Sequence, residues 1–135
     1  MLLEKERIDI EALLTQYFEL AKTKELEIIE RYLSPRFQKF GDSVPYEKRS
    51  RERALMLEQL YFASVSDFDF KISDLEIDVA GERALATFVL DTSGMVVDDY
   101  SFRGAAVKSR LRVTVVLEKN QDGWKMLHQH MSRFG

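Results

Sequence analysis

The 135-residue sequence predicts one α+β domain, with helices covering one face of a curved, mostly antiparallel sheet. Three observations predict it. Apolar residues recur at three- and four-residue steps over the first two-fifths of the chain, the period changes to two from Asp67 onward, and the later connections are short enough for antiparallel hairpins. A content of 45% hydrophobic and 11% aromatic residues supplies an independent core and excludes intrinsic disorder.

The first helix carries Ile10, Leu13, Leu14, Tyr17, Phe18 and Ala21 on one face, with Glu11, Gln16, Glu19 and Lys22 between them. Leu26, Ile29, Tyr32 and Leu33 predict a second, short helix after Thr23, stopped by Ser34-Pro35. A third is expected from about Tyr46 to Ser64, entered at Pro45, with Leu57, Leu60 and Tyr61 as its stripe beside Leu55 and Met56. Alternation then predicts strands. Phe68, Phe70 and Ile72 form one run and Leu75, Ile77 and Val79 another, before a turn at Gly81. Ala84 to Thr92 follows, then a long strand from Tyr100 to Glu118 bent near Gly104 and Ala105, and Trp124 to Phe134 after the turn Asn120-Gln121-Asp122-Gly123. No repeat or linker divides residues 1–135, so a single domain is expected.

Composition narrows the function classes. With no cysteine, the chain has no disulfide, thiolate nucleophile or Cys-ligated metal, which points to a cytoplasmic protein. The formal charge of -3 provides no global field for nucleic acid or an anionic bilayer, and no stretch approaches the ~20 apolar residues of a membrane helix. Met1 to Asp9 lacks the apolar core of a secretory signal. The run Lys48-Arg49-Ser50-Arg51-Glu52-Arg53 is diluted by Glu47, Glu52 and Glu58 and reads as a solvated helix face, not a nucleic-acid site. Phosphate-binding, dinucleotide and nucleophile-elbow motifs are absent, and no cofactor is expected.

Strand alternation places Trp124, Met126, His128, His130 and Ser132 on one face of the last strand. On the strand before it, Arg110, Arg112, Thr114 and Val116 share a face, and Leu111, Val113, Val115 and Leu117 form an apolar face suited to a sheet-on-sheet dimer contact. With the polar sets turned inward, Arg112, His128 and His130 would converge on a pocket where imidazole moves protons near neutral pH. His128 and Arg112 also fit hydrogen bonds across the sheet, or a pairing with an acidic helix residue, that only fix the fold. His-x-His offers two metal ligands on one face, but no third has diagnostic spacing, so no metal is expected. Trp124 fits either a pocket rim or a core anchor.

The runs Arg112-Val113-Thr114-Val115-Val116 and Gly123-Trp124-Lys125-Met126-Leu127-His128-Gln129-His130-Met131-Ser132 resemble the end of SnoaL-like proteins of the nuclear transport factor 2-like superfamily. The resemblance implies a cone-shaped α+β barrel of three N-terminal helices on a curved sheet, a pocket between them, and a homodimer. That scaffold hosts isomerases, cyclases, dehydratases, hydrolases and noncatalytic adaptors, so the fold does not settle the function. Compared with ketosteroid isomerase of the same superfamily, Tyr17 resembles the helix-1 tyrosine and Asp42 the base, whereas Arg112 lies near where the second acid would fall. That departure argues against steroid isomerisation. Tyr17 also fits a core aromatic, and Asp42 a turn residue after Gly41.

The function expected from this reading is binding of a small organic carbonyl or carboxylate compound in an internal pocket. Acid–base chemistry of isomerase, dehydratase or cyclase type would use His128, His130 and Asp42, with Arg112, Tyr17 and Trp124 contacting the substrate. The alternative is a noncatalytic dimerisation or adaptor module with a filled cone. A pocket of roughly 300 Å³ or more separates the two.

Overall fold

The computed structural model describes residues 2–41, 46–97 and 104–134. Helix α1 (Leu2–Thr23) is followed by a 3-10 helix (Leu26–Tyr32), strands β1 (Leu33–Phe40) and β2 (Lys48–Arg49), and helix α2 (Arg51–Ser64). Four long strands complete the chain: β3 (Ser66–Ala80), β4 (Arg83–Val97), β5 (Gly104–Asn120) and β6 (Gly123–Arg133). The six strands form one open, curved sheet in the order β2-β1-β6-β5-β4-β3. Its pairs are antiparallel except β1 with β6. No described helix is long and apolar enough to cross a membrane.

The expected stripe of α1 is the centre of the core, with Ile10, Leu14, Tyr17, Phe18 and Ala21 all at most 2% exposed. Helix α1 ends at Thr23 because Lys24 takes a left-handed conformation, φ 65°. The Lys24 ammonium then donates to the carbonyls of Phe62 and Val65, fastening the end of α1 to the end of α2. At the other end of α1, Glu6 accepts from the Trp124 indole (2.5 Å) and from Lys119 Nζ (2.7 Å), which pins the helix to the β5–β6 hairpin. Trp124 is therefore a core anchor, 6% exposed.

The α+β class and the closing four-strand meander are as expected, but the order of the earlier elements and several local expectations are corrected. The second helix is a 3-10 segment, and the third begins at Arg51 with Ser50 as its cap, since the Ser50 hydroxyl accepts from the Arg53 amide. Between them lies β1, which Pro35 conceals in the sequence. Proline is tolerated there because the β1–β6 ladder is interrupted between Leu33 and Gln38, so no ladder donor is missing. The two runs Phe68–Ile72 and Leu75–Val79 are halves of one strand, joined across a bulge where Asp74 has φ 55°. Residues 98–103, which include the start of the strand expected from Tyr100, lie outside the described residues.

The largest correction concerns which face points inward. Leu111, Val113, Val115 and Leu117 are buried against the core, while Arg110 and Arg112 are exposed, so the apolar face of β5 is closed to a partner. In β6 a bulge lies between the pairs Val116–His128 and Leu117–Met126, which leaves Leu127 as the extra residue. The alternation slips there. Trp124 and Met126 face inward before the bulge, and Gln129 and Met131 after it. His128, His130 and Ser132 are thereby turned to the outer face, together with Arg112 and Thr114.

Where β1 begins, Glu118 accepts from the Ser34 hydroxyl and from Arg36 (2.7 Å), with Arg83 at 3.8 Å. The Ser34 hydrogen bond and then the Arg36 contact hold its carboxyl below the ordinary 4.5, against the opposing effect of burial. Its folded-state pKa lies below its unfolded value, so its contribution is full above about pH 4.5 and is lost as pH falls through the folded value. Glu118→Gln is expected to lower stability at neutral pH and to flatten the loss below pH 4.5, read from denaturant melts at a series of pH values. An unchanged acid limb would show that the cluster does not carry this linkage.

Candidate functional site

A cavity of about 620 Å³ opens between α2 and the inner face of the sheet. Its apolar walls come from Phe18 of α1, Leu57, Leu60, Tyr61 and Phe62 of α2, Phe68 of β3, Leu90 of β4, Leu111 of β5 and Met131 of β6. The stripe of α2 thus borders a cavity instead of entering the core. Leu60 and Tyr61 remain 60% and 46% exposed at its mouth, whereas Ala54 and Phe62 are the buried residues of the helix.

The cavity's charged lining consists of Lys39, Arg49, Arg53 and Arg133, with one carboxylate, Glu58. Glu58 receives two hydrogen bonds: Tyr17 Oη donates to Oε2 at 3.1 Å, and Lys39 Nζ donates to Oε1. Burial first, and then the nearby Glu58 charge, raise the Tyr17 phenol well above its ordinary 10.0, so it stays protonated and serves as a donor. Lys39 and Arg49 are only 3% and 6% exposed, and they face each other in register across β1 and β2. On the other side Lys39 is in register with Gln129 of β6, which is 1% exposed. Arg49, Lys39 and Gln129 therefore form a polar row across three neighbouring strands, on a sheet face that is otherwise apolar around them. Thr92 and Ser109 add a hydroxyl pair, 2.5 Å apart, to the cavity wall on β4 and β5.

Of the residues singled out in the sequence, Tyr17 reaches this site through its hydrogen bond to Glu58. His128 and His130 do not line the cavity; they flank the Phe40 ring at 5.8 and 5.7 Å on the outer face. His128 is half-buried, and burial followed by the charge of His130 lowers its pKa below 6.5. His130 borders a separate hollow of about 350 Å³ with Phe40, Tyr46 and Ser132. Arg112 is exposed, donates to the Arg133 carbonyl at 3.1 Å, and lies 5.0 Å from the Phe134 ring centroid, securing the end of β6. Trp124 does not line the cavity but is buried at the β5–β6 hairpin, and Asp42 lies outside the described residues. Among the described residues, no three His, Asp or Glu side chains are grouped as metal ligands.

Sequence reasoning missed Lys39, Arg49, Arg53, Glu58 and Arg133. A signal for Lys39 was present, because reading Phe37 to Phe40 as a strand puts Lys39 on the same face as the apolar Phe37. Arg49 and Arg53 belong to the basic run that reads as solvated.

Comparison with known proteins places this geometry in a family. A model of the SnoaL-like domain matches residues 10–134. Among solved structures, a protein of the NTF2-like family from Streptomyces avermitilis, named as a candidate dehydratase, is 19% identical with a TM-score of 0.83, over 97% of each chain. An NTF2-like superfamily protein from Salmonella enterica is 18% identical with a TM-score of 0.81, over 98% of this chain and 94% of that one. The association domain of C. elegans CaMKII is 17% identical with a TM-score of 0.75, over 96% of each chain. At these identities the likeness is one of fold. No curated protein matches the sequence. The match over nearly its whole length shows that the chain belongs to the SnoaL-like domain family.

Proposed function

We propose that this protein binds a small organic acid in the cavity beneath α2. The observation that carries the reading is the pairing of about 620 Å³ of largely apolar space with four cationic side chains and a single carboxylate in its lining. Apolar walls accept the body of a ligand, and a surplus of cations in a low-dielectric cleft draws an anionic group. The volume exceeds the roughly 300 Å³ that separates an open pocket from a filled cone. Proton transfer in the cavity would fall to Glu58, the carboxylate in its lining, with the Tyr17 phenol and the Lys39 ammonium fixing its orientation. The isomerase, dehydratase or cyclase chemistry expected from the sequence would use this group and not the histidines of the outer face.

A second reading, association through the outer sheet face, is compatible with the first. Leu85, 43% exposed, is in register with Val116, and Val116 with His128, which makes a largely uncharged row across β4, β5 and β6. The structural likeness to an association domain supports it. We propose a homodimer through this row, in place of the Leu111 face suggested by the sequence.

Phenylacetate should raise the melting temperature progressively, with the logarithm of its concentration once that exceeds Kd, and phenylacetamide should do so far less. The double variant Arg53→Gln/Arg133→Gln should weaken phenylacetate binding about 10-fold or more, while Arg112→Ala and His128→Gln leave it unchanged. Equal binding of acid and amide, or loss of binding in Arg112→Ala alone, would move the site elsewhere. For the second reading, light scattering should give a dimer for the native chain and a folded monomer for Leu85→Arg. A native monomer would remove it.

A further inference from the structure

Gln129 is 1% exposed, yet neither its Nε2 nor its Oε1 has a hydrogen-bond partner among the described residues. Burying an amide in this way is costly, and a leucine or methionine of similar size would avoid the cost. Nothing in the packing asks for an amide. Its register neighbour on β5 is Val115, and Met131 follows it on the same face of β6. Its register neighbour on β1 is Lys39, which lines the cavity, as does Met131. Gln129 itself contributes no surface to the cavity. Its amide stands behind Lys39 and Met131 in the cavity wall, so a ligand group reaches it where these two side chains part.

We propose that Gln129 is a specificity-determining residue of the cavity and that it selects organic acids with a hydroxyl on the carbon next to the carboxylate. The inference rests on the organic-acid reading above and refines it. A carboxamide offers a donor and an acceptor, and a hydroxyl is the small group that can use both. Side chains in register on neighbouring strands stand about 5 Å apart, which suits adjacent groups of a single ligand. Lys39 then meets the carboxylate and Gln129 the hydroxyl. Leaving the amide unsatisfied in the empty protein makes the discrimination large, because an acid without the hydroxyl leaves it unsatisfied still.

The test compares the two enantiomers of mandelate with phenylacetate, which differs by the hydroxyl alone, using titration calorimetry on the full chain. The native protein should bind one mandelate enantiomer at least about 10-fold more tightly than phenylacetate. In Gln129→Leu the two affinities should become equal, at the phenylacetate level, and the free variant should melt at or above the native temperature. Gln129→Met serves as a second replacement with a more adaptable side chain. Equal affinities in the native protein would overturn the proposal, as would a mandelate preference that survives both substitutions. A lower melting temperature for both free variants would also overturn it, by showing that the amide is already satisfied inside the fold. Failure of the acids to bind at all would remove the organic-acid reading itself, so the two failures are distinguishable.

Discussion

The Glu58 carboxylate ties together three elements that the chain supplies far apart. Tyr17 reaches it from α1, Lys39 from β1, and Glu58 itself stands on α2. A carboxylate and an ammonium this far from water are tolerable because each offsets the other's desolvation and the phenol fills a further acceptor position. Removing one partner would leave the rest of the group buried without compensation. The linkage therefore sets where α2 lies relative to the sheet. Helix α2 carries Leu57, Leu60 and Tyr61 on the side that borders open space, and a helix placed this way is held by polar contacts near its middle and by the Lys24 fastening at its end.

The cavity is the consequence of that arrangement. Core packing is dense around α1, where Ile10 and Ala21 are wholly buried, and the inward faces of β5 and β6 continue it through Val115, Leu117 and Met126. Toward the other end of the sheet the lining becomes polar, with Thr92, Ser109 and Arg133 opposite α2. Gly94 shows how closely the closing layer fits beyond the cavity, since a Cβ there would lie 2.3 Å from Val65 Cγ1. Burying the row of Arg49, Lys39 and Gln129 brings no packing advantage over apolar residues, and such costs are usually retained where a site needs them.

The fold was legible in the sequence wherever period and polarity agreed. The α1 stripe, the Gly81 turn and the β4–β5–β6 meander all follow from the spacing of apolar residues. The site was far less legible, and two local irregularities explain why. The bulge at Leu127 reverses the facing of His128 and His130, because a single extra residue in a strand exchanges inside for outside. The fully apolar face of β5, which the sequence suggests as an interface, is the core, and Arg112 on the opposite face is therefore turned outward. Pro35 concealed β1 and with it the burial of Lys39. Glu58 appeared to be one more charge on a solvated helix, and only the approach of Tyr17 and Lys39 in three dimensions distinguishes it from Glu52.

Entry of ligands into the space beneath α2 can be read by methyl NMR of the methionines during titration with phenylacetate. Met131 lines the cavity, Met126 is wholly buried in the core, and Met56 is exposed on α2 away from the lining. A ligand bound there should produce a saturable shift of the Met131 methyl with Met56 and Met126 nearly unmoved. A saturable response at Met56 with Met131 unmoved, or no saturable response at any of the three, would contradict binding in this space.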